Sequence, residues 1–139
     1  MRMRLELIVL HVSDVDRAKE FYEKAGFNVD VDHQASEDFR VVQVTPPGSA
    51  CSVSFGKGIS QAEPGSIQGL HLVVTDLPGA SSELSARGVD VSDPFHFGAA
   101  GRTAGLHPDR ADYGSYAAFS DPDGNGWLLQ EVGHIPSGA

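Results

Sequence analysis

"VSDVDRAKEFYEKAGFNVDV", residues 12–31, and "VTDLPGASSELSARGVDVSD", residues 74–93, decide the fold when laid side by side. Val12 meets Val74, Ser13 meets Thr75, Asp14 meets Asp76, Ala18 meets Ala80, Gly26 meets Gly88 and Val29 meets Val91. Each copy reads as strand, helix, strand. In the first, Ser13 is placed to cap the helix, with Asp16 completing a weak capping box. Val15, Ala18, Tyr22 and Ala25 follow at helical spacing, Phe21 widens the apolar face, and Gly26 ends the helix in the left-handed region. In the second, Thr75 or Asp76 caps, Pro78 fits the first turn, Leu77, Ala80 and Leu84 form the apolar face, and Gly88 closes it.

The ends of the two copies also correspond. "GSACSVSFG", from Gly48, and "GNGWLLQEV", from Gly124, each follow a turn and each read as a closing strand. The second lies within "FSDPDGNGWLLQEV", residues 119–132, where Pro122 fixes φ, Asp121 accepts a local hydrogen bond, and Gly124, Asn125 and Gly126 tolerate positive φ. This is a hairpin pattern. Side chains two apart in a strand share a face, so Leu128 and Gln130 point one way and Trp127, Leu129 and Glu131 the other.

The expected order is therefore βαβββ twice. The first copy has strands at Leu5–Val12, Asn28–Asp32, Phe39–Thr45 and Cys51–Phe55. The second has them at Leu70–Val74, Val89–Ser92, Ser115–Ser120 and Trp127–Val132. The fold class is α+β, with two tandem modules (1–62 and 70–133) forming a cupped mixed sheet, helices outside. Residues 63–69 link the modules and 134–139 form a loose tail. One module alone is too small to bury a good core, so the whole counts as one structural domain. The second copy is longer in its middle, across Pro94 to Ser115, a glycine-rich segment without clear period that reads as a long loop.

Composition narrows the function. The chain has 139 residues, 40% hydrophobic and 21% charged, which is a globular balance. A net charge of −9 disfavours a phosphate backbone as partner. The same charge is compatible with a cationic ligand, although solubility explains it as well. A single cysteine, Cys51, excludes an intrachain disulfide and fits a reducing cytoplasm. No stretch approaches the roughly 20 apolar residues of a membrane-spanning helix, and the apolar run near the N-terminus, interrupted by Glu6, reads as a first strand rather than a signal peptide. There is no nucleophile elbow, phosphate-binding glycine loop or CxxC.

The paired modules, "VSDVDRAKEFYEKAGF" and "FSDPDGNGWLLQEV" resemble the vicinal oxygen chelate superfamily: glyoxalase I, extradiol dioxygenases, fosfomycin resistance enzymes and bleomycin resistance proteins. The resemblance covers nearly the whole chain. It implies a pocket enclosed by a cupped sheet and a homodimer. Catalytic members hold a divalent metal at four positions, which carry over to Leu7, Gly69, Ser52 and Leu128. None is an imidazole, carboxylate or thiolate, so neither a metal nor another cofactor is expected.

Alternation from those positions places Val9, His11, His71, Val73, Ser54 and Gln130 on the same face as Leu7 and Leu128. His11 and His71 would orient a ligand, or act as acid and base. Each would equally serve as a satisfied core residue. Phe95, His96 and Phe97, at the mouth of the long segment, would stack on a planar ligand, and Tyr116 would reach the pocket. Trp127 would pack beneath a helix or at an interface, His33, His107 and His134 would be solvated, and Asp30 and Asp32 would sit on a half-exposed strand. The reading that follows is a metal-independent protein that binds an apolar or aromatic small molecule, as bleomycin-resistance-like members do by sequestration. The alternative is a lyase, isomerase or dioxygenase-like enzyme using His11 and His71, with or without a displaced metal.

Overall fold

The computed structural model describes residues 1–135. Nine strands and two helices run in the order β1 (Leu7–Val9), α1 (Val15–Lys24), β2 (Asn28–Ser36), β3 (Phe39–Thr45), β4 (Ser52–Lys57), β5 (Leu70–Val74), α2 (Leu77–Ala86), β6 (Phe95–Gly98), β7 (Gly101–Ala104), β8 (Ser115–Ser120) and β9 (Gly126–Glu131). They form two mixed sheets, ordered β1-β4-β3-β2 and β5-β9-β8-β6-β7. The chain divides into two compact units. The first is Met1–Gln68 with Asp121–Asn125; the second is Gly69–Ser120 with the chain from Gly126 onward. The end of the expected tail, residues 136–139, lies outside the described residues.

Each unit is a sheet with a helix packed on one face. In the first, β1 runs parallel to β4, and β2, β3 and β4 pair antiparallel. Alternation puts Val42, Val44, Val53 and Phe55 on the helix side, where they are buried with Ala18, Tyr22 and Phe27. The Tyr22 ring lies 5.3 Å from Phe27 and 5.6 Å from Phe55. In the second unit β5 runs parallel to β9, and Leu77, Val89, Ala117, Phe119, Trp127 and Leu129 are buried. Phe119 and Trp127, directly opposite across β8 and β9, stack in parallel with centroids 6.0 Å apart. Trp127 is thus a core residue under α2's side of the sheet.

The helix caps refine the expected ones. Asp14, not Ser13, caps α1 by accepting the Arg17 N–H, and Asp76 caps α2 by accepting the Gly79 N–H. Ser13 is engaged elsewhere. Its N–H and hydroxyl both donate to Asp123, which also receives Arg17. Gly26 and Gly88 follow the helices at φ 99° and 89°, the left-handed geometry that ends them.

The Asp121–Asn125 turn does more than reverse the chain. Asp121 is buried, and its carboxylate accepts the N–H groups of Asp123 and Asn125, the Asn125 amide and the Tyr22 hydroxyl at 2.8 Å. The Asn125 amide also donates to the His11 carbonyl, and its oxygen receives the Ile67 N–H. A turn that is late in sequence is thereby integrated into the first unit. Asp32 likewise exceeds an ordinary half-exposed strand position. It takes both Lys19 and Arg40, and these donors hold its carboxyl well below the usual range.

Two expectations fail. Val89–Ser92 is not a strand, although the Ser92 N–H donates to the Ala118 carbonyl and its hydroxyl accepts the Ala118 N–H. The segment after it, read as an unstructured loop, contains the β6–β7 hairpin. Gly101, at φ 96°, makes the tight reversal between the two strands possible. The remainder, Gly105–Gly114, is a pinned loop.

Candidate ligand-binding face

The sheet face of the second unit away from α2 gathers most of the expected site residues. Along β9 burial alternates, with Trp127, Leu129 and Glu131 buried and Leu128 and Gln130 half-exposed. Register then builds the row. His71 lies opposite Leu128, Val73 opposite Gln130, Gln130 opposite Tyr116, and Tyr116 opposite Phe95. Facing side chains in a sheet share a side, so these residues form one surface across four strands. Phe97 extends it and lies opposite Arg102.

The surface is largely aromatic. Phe95 and Tyr116 stack at 5.6 Å with 15° between planes, and Phe97 meets both rings edge-on at 6.0 and 5.5 Å. His71 meets Tyr116 edge-on at 6.4 Å. Phe95 is buried beneath its neighbours, whereas Phe97 and Val73 remain 60% and 63% exposed. Phe97 and Val73, on β6 and β5 at the two ends of the row, thus leave large apolar side chains open to solvent on this face.

Three polar groups are fixed within it. A carbonyl only accepts, so in the 2.7 Å contact His71 Nδ1 donates to the Gly69 oxygen, which fixes the orientation of the ring. The Gln130 amide donates to the Tyr113 carbonyl and to the Tyr116 hydroxyl. The Tyr116 hydroxyl keeps its own proton to donate.

The Gly105–Gly114 loop is anchored on the opposite face by Glu131. That carboxylate is 1% exposed and takes two donors of Arg110 at 2.5 and 2.9 Å and the Leu77 N–H at the start of α2. The Arg110 guanidinium, opposed by burial and aided by Leu77, holds the Glu131 carboxyl below its ordinary value. Tyr113 donates its N–H to the Glu131 carbonyl, and Asp112 accepts the Gly133 N–H. Arg110 and Tyr113 adopt positive φ, a geometry these contacts hold in place. His107 is not solvated as expected. Its Nδ1 accepts the Asp109 N–H and organises the loop.

The remaining expected residues are placed as follows. His96 does not join the aromatic surface. It projects from the other side of β6, donates Nδ1–H to the Gly105 carbonyl and lies against His107. Leu7 and Ser54 belong to the first unit, on β1 and β4, where Leu7 lies opposite Ser52 and Val9 opposite Ser54. His11 also belongs there; its ring Nδ1 is buried and has no hydrogen-bond partner among the described residues. Arg102 was missed by sequence reasoning because its strand was read as loop. The alternation of "FHF" followed by "GAAG" and "RTA" was the available hairpin signal.

The positions at which catalytic relatives hold a metal do not fit one here. Leu7 and Leu128 are aliphatic, Gly69 has no side chain, and the Ser52 hydroxyl is hydrogen-bonded to Thr45 at 2.6 Å. Leu128 lies opposite His71 rather than Gly69. No group of three or more His, Cys, Asp or Glu among the described residues is arranged to hold a metal ion.

The profile of the Glyoxalase/Bleomycin resistance protein/Dioxygenase superfamily matches residues 4–129. The chain belongs to that superfamily. Among solved structures, TnmS3, an antibiotic binding protein from Streptomyces sp. CB03234, is 32% identical with a TM-score of 0.73, covering 94% of this chain and 97% of its own. A superfamily member from Sphaerobacter thermophilus DSM 20745 is 30% identical with a TM-score of 0.70, covering 94% of this chain and 98% of its own. The uncharacterized protein YetH of Bacillus subtilis (strain 168) is 23% identical over 133 residues, 94% of this chain and 100% of YetH. Among the described residues no helix is long and apolar enough to cross a membrane.

Proposed function

We propose that this superfamily member binds an aromatic small molecule, without help from a metal, on the His71–Tyr116–Phe97 face of its second unit. One observation carries the reading. A cluster of rings from His71 through Tyr116 to Phe95 and Phe97 is left open to solvent at Phe97, while its polar groups, His71, Gln130 and Tyr116, are already oriented. Preoriented polar groups on an apolar floor are what ligand sites use to combine affinity with selectivity. The likeness to TnmS3, an antibiotic binding protein, supports an antibiotic-like ligand, which the protein would hold by sequestration. His71 Nε2 would accept a ligand hydroxyl and the Tyr116 hydroxyl would donate to a carbonyl.

The test is a thermal-shift screen with planar aromatic natural products, followed by titration of the best compound into wild type, Phe97→Ala and His71→Ala. The reading requires saturable binding that both substitutions weaken without unfolding the protein. Unchanged affinity in both contradicts it. The catalytic alternative would use the same ring, since an imidazole held through Nδ1 presents Nε2 for proton transfer. Turnover of the bound compound, lost in His71→Gln, would select that alternative.

Homodimer formation and a cytoplasmic location are parts of the same proposal. Met1, Met3 and Leu5 are strongly exposed and alternate with Arg2, Arg4 and Glu6, a pattern suited to pairing with a second copy. Light scattering at two concentrations tests the first. The free thiol of Cys51 supports the second.

A further inference from the structure

We infer that Arg102 selects the ligand's charge, so that the aromatic face prefers a planar ring system bearing an ionised acidic group; this rests on the ligand-binding reading above. Arg102 lies on β7, opposite Phe97, with its guanidinium carbon 3.6 Å from the Phe95 ring centroid. β6 lies between β8 and β7, so Tyr116 and Arg102 flank Phe95 from either side. The arrangement is a stack of guanidinium, phenyl and phenol.

Arg102 differs from the other arginines of its unit. Arg87 is paired with Glu83, and Arg110 with Glu131 and Asp76. Arg102 is exposed and has no ion pair among the described residues, in a chain of net charge −9. The surface row it joins contains no carboxylate. Arg102 is therefore the one permanent charge in that row, opposite in sign to the net charge of the molecule. A guanidinium resting on a ring is partly stripped of water and keeps its planar fork of donors free at the edge. That fork matches a carboxylate or phenolate in the plane of a stacked ligand. A cationic ligand, which the overall charge would attract to the protein, meets a like charge at this face.

The experiment compares three probes of one bicyclic ring by isothermal titration at low salt and pH 7: 2-naphthoate, 2-naphthamide and 2-naphthylmethylammonium. Wild type is expected to bind the anion roughly tenfold more tightly than the amide, an ordinary magnitude for one semi-exposed charge pair, and the cation most weakly. Arg102→Gln should abolish this order, and Arg102→Lys should restore part of it. Thermal unfolding of each variant checks that the fold is retained. Equal binding of all three probes by wild type, or an unchanged order in Arg102→Gln, overturns the inference and leaves the aromatic site standing. Failure of all three probes to bind overturns the aromatic site and this inference with it.

Discussion

The two sheets come from one repeat, yet the faces they turn away from their helices differ in kind. In the first unit that face sets the polar Ser52, Ser54, Gln43 and Thr45 among the aliphatic Leu7, Val9 and Val41, with Thr45 bonded to both Ser52 and Asp30. In the second it holds Leu128, Gln130, Tyr116, Phe95 and Phe97, largely aromatic, with Phe97 open to solvent. The helix-side faces differ as well. Phe55, on β4, is fully buried, while Glu131, at the end of β9, is equally buried but charged. The repeat thus determines backbone and parity, and individual side chains determine chemistry.

The largest effect should come from removing the charge on the helix side of β9. Glu131→Ala leaves the Leu77 N–H without its acceptor and Arg110 with only Asp76 and water, and should cost about 2–3 kcal/mol, since a buried donor is stranded and charged hydrogen bonds are lost. Urea unfolding measures it. The same carboxylate should make the protein acid-sensitive. Its folded value lies below the ordinary 4.5, so its stabilisation is complete above 4.5 and is lost as pH falls through the depressed value. A melting-temperature profile between pH 7 and 3 should show this loss, and Glu131→Gln, less stable throughout, should flatten it.

A smaller effect tests the first unit. Tyr22→Phe removes the hydroxyl from buried Asp121 and should cost about 1–2 kcal/mol, because an acceptor in the core loses a donor. The smallest effects on stability compare the two faces turned away from the helices. Phe97→Ala and Ser54→Ala should be unequal in ligand affinity. The first should lose about tenfold or more while changing stability by no more than about 0.5 kcal/mol, and the second should leave affinity nearly unchanged. Equal losses would erase the distinction between the faces.

Much of this was legible in the residues. The helices were fixed by Ala18, Tyr22, Leu77 and the glycines that follow, and the face of β9 by strict alternation from Trp127 to Glu131. The capping role of Asp14 was not, because Ser13 has the same local chemistry and is diverted only by Asp123, far along the chain. The β6–β7 hairpin was hidden by glycines and alanines that carry little periodic signal. Its recognition would have exposed Arg102, and it separates Phe95 and Phe97 from His96 by placing them on opposite faces. The anchoring of the loop by Arg110 and Glu131 has no local signature, since it joins distant residues, whereas His107 acts within its own turn through Asp109.

The central claim is tested most directly by mapping a bound ligand onto the protein with NMR, using the best compound of the thermal-shift screen. The account predicts saturable shifts concentrated at His71, Phe97, Tyr116, Leu128 and Gln130, with Phe119 and Trp127 on the helix side little changed. Shifts concentrated at Ser52 and Ser54, or none on the Tyr116 face, would contradict it.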